Sequence, residues 1–150
     1  MALNVGDKAP EILGINQDGK EIKISDFSGK KIVLYFYPKD NTPGCTAQAC
    51  SLRDGYDDLR KSGYEVIGVS ADSAASHKKF IEKQNLPFNL IADTETKLSE
   101  IFGTWGEKSM YGRKYMGMFR TTFIIDEKGV IERIITPKEV NTKNHASQII

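Results

Sequence analysis

Two cysteines that lie five residues apart, Cys45 and Cys50, are the side chains of this sequence best suited to covalent chemistry. Thr42 is a favoured helix N-cap and Pro43 a favoured first helical residue, so Cys45 takes the third helical position. Backbone N–H groups in a first helical turn have no acceptor within the helix, and the helix N-terminus carries a partial positive charge. Both features favour a thiolate, whereas an ordinary thiol is only about 3% ionised at pH 7. The sequence therefore predicts a nucleophilic sulfur at Cys45.

A rapid reaction of this thiolate also requires hydrogen-bond donors aimed at the charge that develops on its target. The Thr42 hydroxyl and the free backbone amides of Gly44 and Cys45 are local candidates. A positive side chain from elsewhere in the chain would stabilise both the thiolate and the target. The local sequence leaves a second interpretation open, because free cysteines are often small buried side chains without reactivity.

Cys50 is predicted to lie on the opposite side of the same helix, on the charged face that carries Asp54, where packing does not explain a cysteine. In an intact helix the two cysteine Cα atoms are about 8.7 Å apart, and a disulfide needs less than about 7 Å. A bond between the two sulfurs therefore requires the first helical turns to unwind. Thiols that point apart cannot share a tetrahedral ion with His77 or His145, so we expect no metal site.

Strands and helices alternate along the chain around these cysteines. The apolar and β-branched runs predict strands at 31–37, 65–69, 121–125 and 130–135, with a weaker hairpin at 12–24. Helical patterns cover about 43–61, 73–84, 97–102 and 144 onward. This order predicts an α/β fold of thioredoxin-like architecture, a central mixed β-sheet flanked by helices. We expect one domain over residues 1–150, because this length is enough to bury one core.

Composition excludes several classes of protein. With 21 Lys and Arg against 20 Asp and Glu, the net charge of +1 argues against a general nucleic-acid binder. No apolar run approaches the roughly 20 residues that a membrane-spanning helix needs. The first residues do not resemble a secretory signal, so we expect a cytoplasmic protein whose thiols are kept reduced.

The residues around Cys45 match a known signature. The pattern Pro38-x-x-x-Thr42-x-x-Cys45 resembles the active-site motif of the peroxiredoxins, and the longer run from Tyr35 to Cys50 resembles their bacterioferritin comigratory protein, or peroxiredoxin Q, subfamily. Further similarity extends over nearly the whole chain, at residues 5–10, 105–108, 120–126 and 142–146.

This resemblance implies a thiol-dependent peroxidase that reduces hydrogen peroxide and organic hydroperoxides without metal, haem or flavin. Cys45 matches the peroxidatic cysteine, which becomes a sulfenic acid. Cys50 matches the resolving cysteine, which condenses with that sulfenic acid to an intramolecular disulfide. Thioredoxin or a similar dithiol protein then reduces the disulfide, and the subfamily is often monomeric.

The same resemblance implies roles for the residues around the sulfur. Thr42 matches the residue whose hydroxyl orients the peroxide, and Pro38 matches the residue that shields the thiolate. Arg120 matches the active-site arginine, which would supply the remote positive charge. Gly44, Thr42 and Arg120 are therefore the candidate peroxide-binding residues. Gln48 stands where the family often has Glu, which weakens any role of that position in tuning Arg120.

Other features stay open at this stage. Met116, Met118 and Phe119 are candidates either for the pocket wall or for the core, and the basic segment 108–114 is predicted to be a solvated loop. A protein dithiol–disulfide oxidoreductase is a competing function, but it normally has Cys-x-x-Cys rather than Cys-x4-Cys. A non-enzymatic redox-signalling or chaperone protein that uses the same thiols is the other alternative.

Overall fold

A five-stranded mixed sheet forms the centre of the protein, in a computed structural model that describes residues 2–150. The strand order is β5-β4-β3-β8-β9, in which β3, β4 and β5 are parallel and β8 and β9 are antiparallel to their neighbours. The strands of this sheet are β3 (Lys31–Phe36), β4 (Tyr64–Ser70), β5 (Asn89–Ala92), β8 (Thr121–Ile125) and β9 (Ile131–Ile135). Two separate antiparallel hairpins are β1 (Ile12–Ile15) with β2 (Glu21–Lys23), and β6 (Trp105–Met110) with β7 (Arg113–Met118).

Strand β3 is continuously apolar because the sheet is covered on both faces. Its side chains alternate between two cores, as the two-residue repeat of a strand requires. Val33, Tyr35 and Tyr37 enter the core that contains Cys45. Ile32, Leu34 and Phe36 enter the core on the other face, which also contains side chains of β1, β2 and the helix at 97–102. The predicted thioredoxin-like architecture is confirmed by this sheet and its flanking helices.

The helices are α1 (Pro43–Asp54), α2 (Tyr56–Lys61), α3 (Ala74–Gln84), α4 (Lys97–Phe102) and α5 (His145–Ile149), with 3-10 turns at Ile24–Phe27 and Thr142–Asn144. None of the helices within residues 2–150 is long and apolar enough to cross a membrane.

The single helix predicted over 43–61 is wrong, because the structure interrupts it at Gly55. Helix α5 packs so closely there that an added Cβ on Gly55 would lie 2.6 Å from the Ala146 Cβ. The contact between α1 and α5 therefore requires a glycine at this position.

The solvated loop predicted at 108–114 is also wrong, because these residues belong to the β6–β7 hairpin. Tyr111 and Gly112 form its turn, both with positive φ. Most of the hairpin's side chains are exposed, so the apolar alternation by which a strand is recognised is missing. Strand β5 was not predicted either, since its four residues follow Pro87 with little β-branched character.

Candidate active site

Cys45 is the third residue of α1, as predicted, and its side chain is only 1% exposed. The first backbone hydrogen bond of the helix runs from the Thr46 N–H to the Thr42 carbonyl at 2.8 Å. Within residues 2–150, the N–H groups of Gly44 and Cys45 have no protein acceptor. The sulfur therefore lies next to unpaired amides at the positive end of a helix, where a negative charge is stabilised.

Arg120 supplies the positive side chain that the sequence led us to expect. Its Nη2 lies 3.4 Å from Cys45 Sγ, in hydrogen-bonding geometry. The sheet brings the two residues together, because β8 is antiparallel to β3 and Thr121 pairs with Phe36, the last residue of β3. The start of β8 and the loop that leads into α1 therefore lie at the same edge of the sheet.

Gly44 leaves the space that the guanidinium occupies. A Cβ added to this glycine would lie 3.2 Å from Arg120 Nη2, which is closer than ordinary van der Waals contact. A larger side chain at this position would therefore require the guanidinium to shift by a few tenths of an ångström. The glycine therefore contributes through its small size as well as through its free amide.

Gln48 fixes the other side of the guanidinium. Its side chain is fully buried, and its Oε1 accepts a hydrogen bond of 2.7 Å from Arg120 Nη1. Its Nε2 has no hydrogen-bond partner in the described part of the chain. Because Gln48 is uncharged, it orients Arg120 without neutralising it, so the full positive charge remains available to Cys45.

The Thr42 hydroxyl does not act as the donor that the sequence suggested. Thr42 is the N-cap residue, but its Oγ1 donates a hydrogen bond of 2.8 Å to the Lys39 carbonyl. With its proton engaged in this way, the oxygen presents lone pairs, so Thr42 can accept a hydrogen bond from an incoming O–H group. Pro38 lies two residues after the end of β3 and is half-buried at the beginning of the same loop.

Cys50 is half-buried, so the expectation that it lies on an exposed face is wrong. The C-terminal end of α3 packs on that side of α1, and Cys50 Sγ donates to Gln84 Oε1 at 3.4 Å. Arg53 reinforces the contact by donating to the Gln84 carbonyl at 2.8 Å. Both cysteines are free thiols within one intact helix, as their spacing predicts.

Tyr35 was missed by the sequence analysis, since its position in an apolar strand gave no functional signal. Its hydroxyl is buried without a hydrogen-bond partner in residues 2–150. Burial raises the pKa of the Tyr35 phenol well above its ordinary range, and the negative charges of Cys45 and Asp40 raise it further. The phenol therefore stays neutral beside the thiol.

The apolar residues before Arg120, which the sequence left open as pocket wall or core, differ in their burial. Met118 is 1% exposed and belongs to the core, whereas Met116 is 56% exposed on the hairpin. Phe119 is half-buried, and the Lys108 ammonium lies 5.3 Å from the centre of its ring. Burial lowers the pKa of Lys108, and the nearby positive charge of Arg120 lowers it further.

A second polar cluster, which the sequence analysis also missed, adjoins the loop between Pro38 and Thr42. Ligand atoms of Asp40, Asp72 and His77 lie within 4.8 Å of one another, which is close enough for a metal site. The atoms are already hydrogen-bonded to protein groups, however, and neither cysteine belongs to the cluster. The arrangement is therefore that of a hydrogen-bonded network.

The geometry around Cys45 suits one kind of chemistry. Unpaired amides and a guanidinium surround a thiol at the start of a helix, so they stabilise a thiolate and also the charge that develops on its target. The oxygen of Thr42 is free to accept a hydrogen bond from a target that carries an O–H group. The second thiol lies on the same helix.

Comparison with known proteins gives consistent matches over the whole chain. The sequence profile of the AhpC/TSA family matches residues 5–134. The chain is 45% identical to Peroxiredoxin Bcp of Bacillus subtilis over 151 residues, which cover 100% of this chain and 94% of the relative. It is 43% identical to Peroxiredoxin Bcp of Escherichia coli over 148 residues, which cover 99% of this chain and 94% of the relative.

Solved structures show the same similarity. A mutant of Xylella fastidiosa PrxQ superposes with a TM-score of 0.88 and 30% identity, over 99% of this chain and 94% of the other. The bacterioferritin comigratory protein of Xanthomonas campestris superposes with a TM-score of 0.86 and 30% identity, over 97% of this chain and 94% of the other. The description of the Xanthomonas protein reports alkyl peroxide reduction and a trapped intermediate/ligand complex.

Proposed function

The chain belongs to the AhpC/TSA family and is a thiol-dependent peroxidase that uses a peroxide and a thiol reductant, and from this premise we propose that Cys45 is its peroxidatic cysteine and Cys50 its resolving cysteine. The family resemblance that the sequence suggested is thereby confirmed. The single observation that supports the role of Cys45 most strongly is the 3.4 Å contact between its sulfur and Arg120 at the start of α1.

In the first step, the Cys45 thiolate attacks the terminal oxygen of hydrogen peroxide or an organic hydroperoxide. A sulfur–oxygen bond forms as the oxygen–oxygen bond breaks, so the sulfur is oxidised to a sulfenic acid and the peroxide is reduced to water or an alcohol. Arg120 and the free amides of Gly44 and Cys45 stabilise the charge on the departing oxygen, which takes up a proton. Thr42 accepts the peroxide O–H, and Pro38 shields the thiolate from water.

In the second step, the Cys50 sulfur attacks the sulfur of the Cys45 sulfenic acid. A disulfide forms and the sulfenic oxygen leaves as water. Both sulfurs belong to one continuous helix, so the step requires the first turns of α1 to unwind and the contact between Cys50 and Gln84 to break.

In the third step, a thioredoxin-like dithiol protein reduces the disulfide by thiol–disulfide exchange and becomes oxidised itself. The cycle needs a compartment that regenerates dithiols, so we place it in the cytoplasm. One monomer of a single domain suffices, since both cysteines come from the same helix. No nucleic acid, membrane or bound cofactor takes part in these steps.

The proposal is tested by measuring peroxide consumption with thioredoxin, its reductase and NADPH. Cys45→Ser is expected to abolish consumption, while Cys50→Ser is expected to react once with peroxide and then to stop. The two variants are matched controls for each other, because each removes one thiol of the same helix. Full turnover in Cys45→Ser would overturn the role of Cys45, and full turnover in Cys50→Ser would overturn that of Cys50.

A further inference from the structure

Asp40 and His77 form a buried pair next to the active-site loop, which we define as residues Pro38–Thr42. Their side chains are 5% and 0% exposed, and Asp40 Oδ2 lies 2.8 Å from His77 Nδ1. His77 Nε2 lies 2.9 Å from the Ile91 carbonyl. The pair joins a residue of the loop to the first turn of α3, and none of the catalytic steps above uses it.

The heavy-atom contacts of His77 favour an extra proton in the pair. A carbonyl only accepts hydrogen bonds, so His77 Nε2 must carry a hydrogen. A neutral imidazole with that hydrogen would turn the lone pair of Nδ1 toward the Asp40 carboxylate. The 2.8 Å contact is therefore favourable only when a second proton lies between Nδ1 and Oδ2, bound to one of them.

The other contacts of Asp40 attach the loop to three neighbouring elements. Tyr37, the residue after β3, donates to Asp40 Oδ1 at 2.6 Å, and Ser76 on α3 donates to Oδ2 at 2.8 Å. The Asp40 backbone N–H donates to the Asp72 carboxylate, which follows β4, at 2.8 Å. In the described chain, Tyr37 and Asp72 are the titratable residues that form hydrogen bonds with Asp40 or His77.

The position of the loop residues after Asp40 depends on the hydrogen bonds that Asp40 makes. Asn41 has a φ of 62°, a left-handed conformation that asparagine adopts more readily than most other side chains. The Thr42 hydroxyl then closes the loop on the Lys39 carbonyl. Thr42 and the first turn of α1 therefore follow a tightly turned segment whose buried fixed point is Asp40.

We propose that Asp40 and His77 are positioning residues for the peroxidase reaction, whose shared proton holds the active-site loop on α3 and thereby fixes Thr42 and Cys45 relative to Arg120. This inference rests on the proposed roles of Cys45, Thr42 and Arg120. Stability alone does not account for the pair, because a buried ionic pair is often no more stabilising than apolar side chains of similar volume.

The test compares two substitutions of one residue. In Asp40→Asn, the amide donates to Nδ1 of a neutral His77 and still accepts from Tyr37, so the loop stays in place without the extra proton. In Asp40→Ala, the side-chain hydrogen bonds to His77, Tyr37 and Ser76 are lost, and only the backbone contact with Asp72 remains. We expect the rate constant for Cys45 oxidation by hydrogen peroxide to fall at least about tenfold in Asp40→Ala and to stay within about threefold of wild type in Asp40→Asn.

Asp93→Ala is the matched control for lost folding stability. Asp93 is a buried carboxylate that accepts hydrogen bonds from the Ser99 N–H and hydroxyl, and it caps α4 on the opposite face of the sheet. We expect this variant to keep the wild-type oxidation rate. We also expect only Asp40→Ala to lower the fraction of Cys45 that absorbs as thiolate at neutral pH.

The proton is tested separately by nitrogen-15 NMR of His77 at neutral pH. In wild type we expect a hydrogen on Nε2 and a second one on either Nδ1 or the Asp40 carboxyl, which carbon-13 NMR of that carboxyl distinguishes. In Asp40→Asn we expect a hydrogen only on Nε2, a measurement that does not need Asp40→Ala to fold. A wild-type His77 with a single protonated nitrogen beside an ionised Asp40 carboxylate would overturn the inference. So would a wild-type oxidation rate in folded Asp40→Ala, or equal slowing in Asp40→Asn or Asp93→Ala. Failure of the proposed function is distinguishable, because wild-type protein would then consume no peroxide through Cys45.

Discussion

The Arg120 guanidinium lies 3.4 Å from the sulfur of Cys45, although 75 residues separate them in sequence. One residue belongs to the loop before β8 and the other to the first turn of α1, and the antiparallel pairing of β8 with β3 brings them to one edge of the sheet. Gln48 holds the guanidinium from its other side at 2.7 Å. The positive charge at the sulfur is therefore set by the topology of the sheet and by one buried amide.

Removal of this charge is expected to lower both the fraction of Cys45 that is ionised and the rate of its reaction with peroxide. In Arg120→Met, the fraction of Cys45 that absorbs as thiolate at neutral pH should fall, and oxidation by peroxide should slow by about 100-fold. Stopped-flow fluorescence and absorbance near 240 nm measure the two effects. Arg133→Met is the matched control, because the Arg133 guanidinium donates hydrogen bonds to the Gln148 and Ile149 carbonyls of α5 and should leave both unchanged. An equal thiolate fraction and an equal oxidation rate in the two variants would show that Arg120 does not act on Cys45.

The contact of Cys50 with Gln84 is expected to slow disulfide formation, because the contact must break before the sulfurs meet. In Gln84→Ala, the step from sulfenic acid to disulfide should become about threefold faster, as the loss of one weak hydrogen bond predicts. Rapid quenching and mass analysis of the oxidised protein follow this step. Glu82→Ala, an exposed change on the same helix, should have no effect. A slower step in Gln84→Ala would show that the contact assists resolution.

The unpaired hydroxyl of Tyr35 is expected to cost folding stability. A buried polar group without a partner destabilises a protein by about 1–3 kcal/mol, so Tyr35→Phe should raise the free energy of unfolding by about 1 kcal/mol. Tyr56→Phe is the matched control, since the Tyr56 hydroxyl donates to Glu65 Oε1 at 2.6 Å and its loss should destabilise the protein. Urea unfolding measures both. Equal destabilisation by the two changes would contradict the account.

Much of the fold follows from sequence patterns that are local. The buried strand β8 was predicted at its observed bounds, and α3 begins after the predicted Ser73, whose side chain accepts from the Ser76 N–H. These elements are recognisable because their periodicity and caps are determined by residues next to one another. The position of Cys45 at the start of α1 was predictable for the same reason.

The parts that were missed depend on contacts between distant residues. The break at Gly55 is imposed by Ala146, and the buried pair of Asp40 and His77 joins residues that are 37 positions apart. The Asp40 and His77 side chains gave no local sign of burial. Cys50 was expected to be exposed because the helical pattern of α1 contains no information about the end of α3 that covers it.

Acid pH is expected to destabilise the protein through His145. Burial lowers the pKa of this imidazole below its ordinary value, with a further contribution from Arg120. The unfolded chain then binds a proton more readily than the folded protein, so the free energy of unfolding falls as the pH drops below about 6.5. This contribution is present above the unfolded pKa and is lost toward the lower folded pKa.

His145→Gln removes the titrating group and can retain a hydrogen bond with Thr122. The slope of unfolding free energy against pH should therefore decrease below about pH 6.5, by up to about 1.4 kcal/mol per pH unit. Thermal or urea unfolding over that range measures the slope. An unchanged slope would show that His145 takes up its proton equally in both states.

The central claim, that Cys45 is oxidised by peroxide and then joined to Cys50, is tested most directly by the mass of the intact protein after one equivalent of hydrogen peroxide. The account predicts a loss of about two mass units in wild type, which corresponds to a disulfide, and a gain of about sixteen in Cys50→Ser, which corresponds to a sulfenic acid. An unchanged wild-type mass, or the same gain of about sixteen in Cys45→Ser, would contradict it.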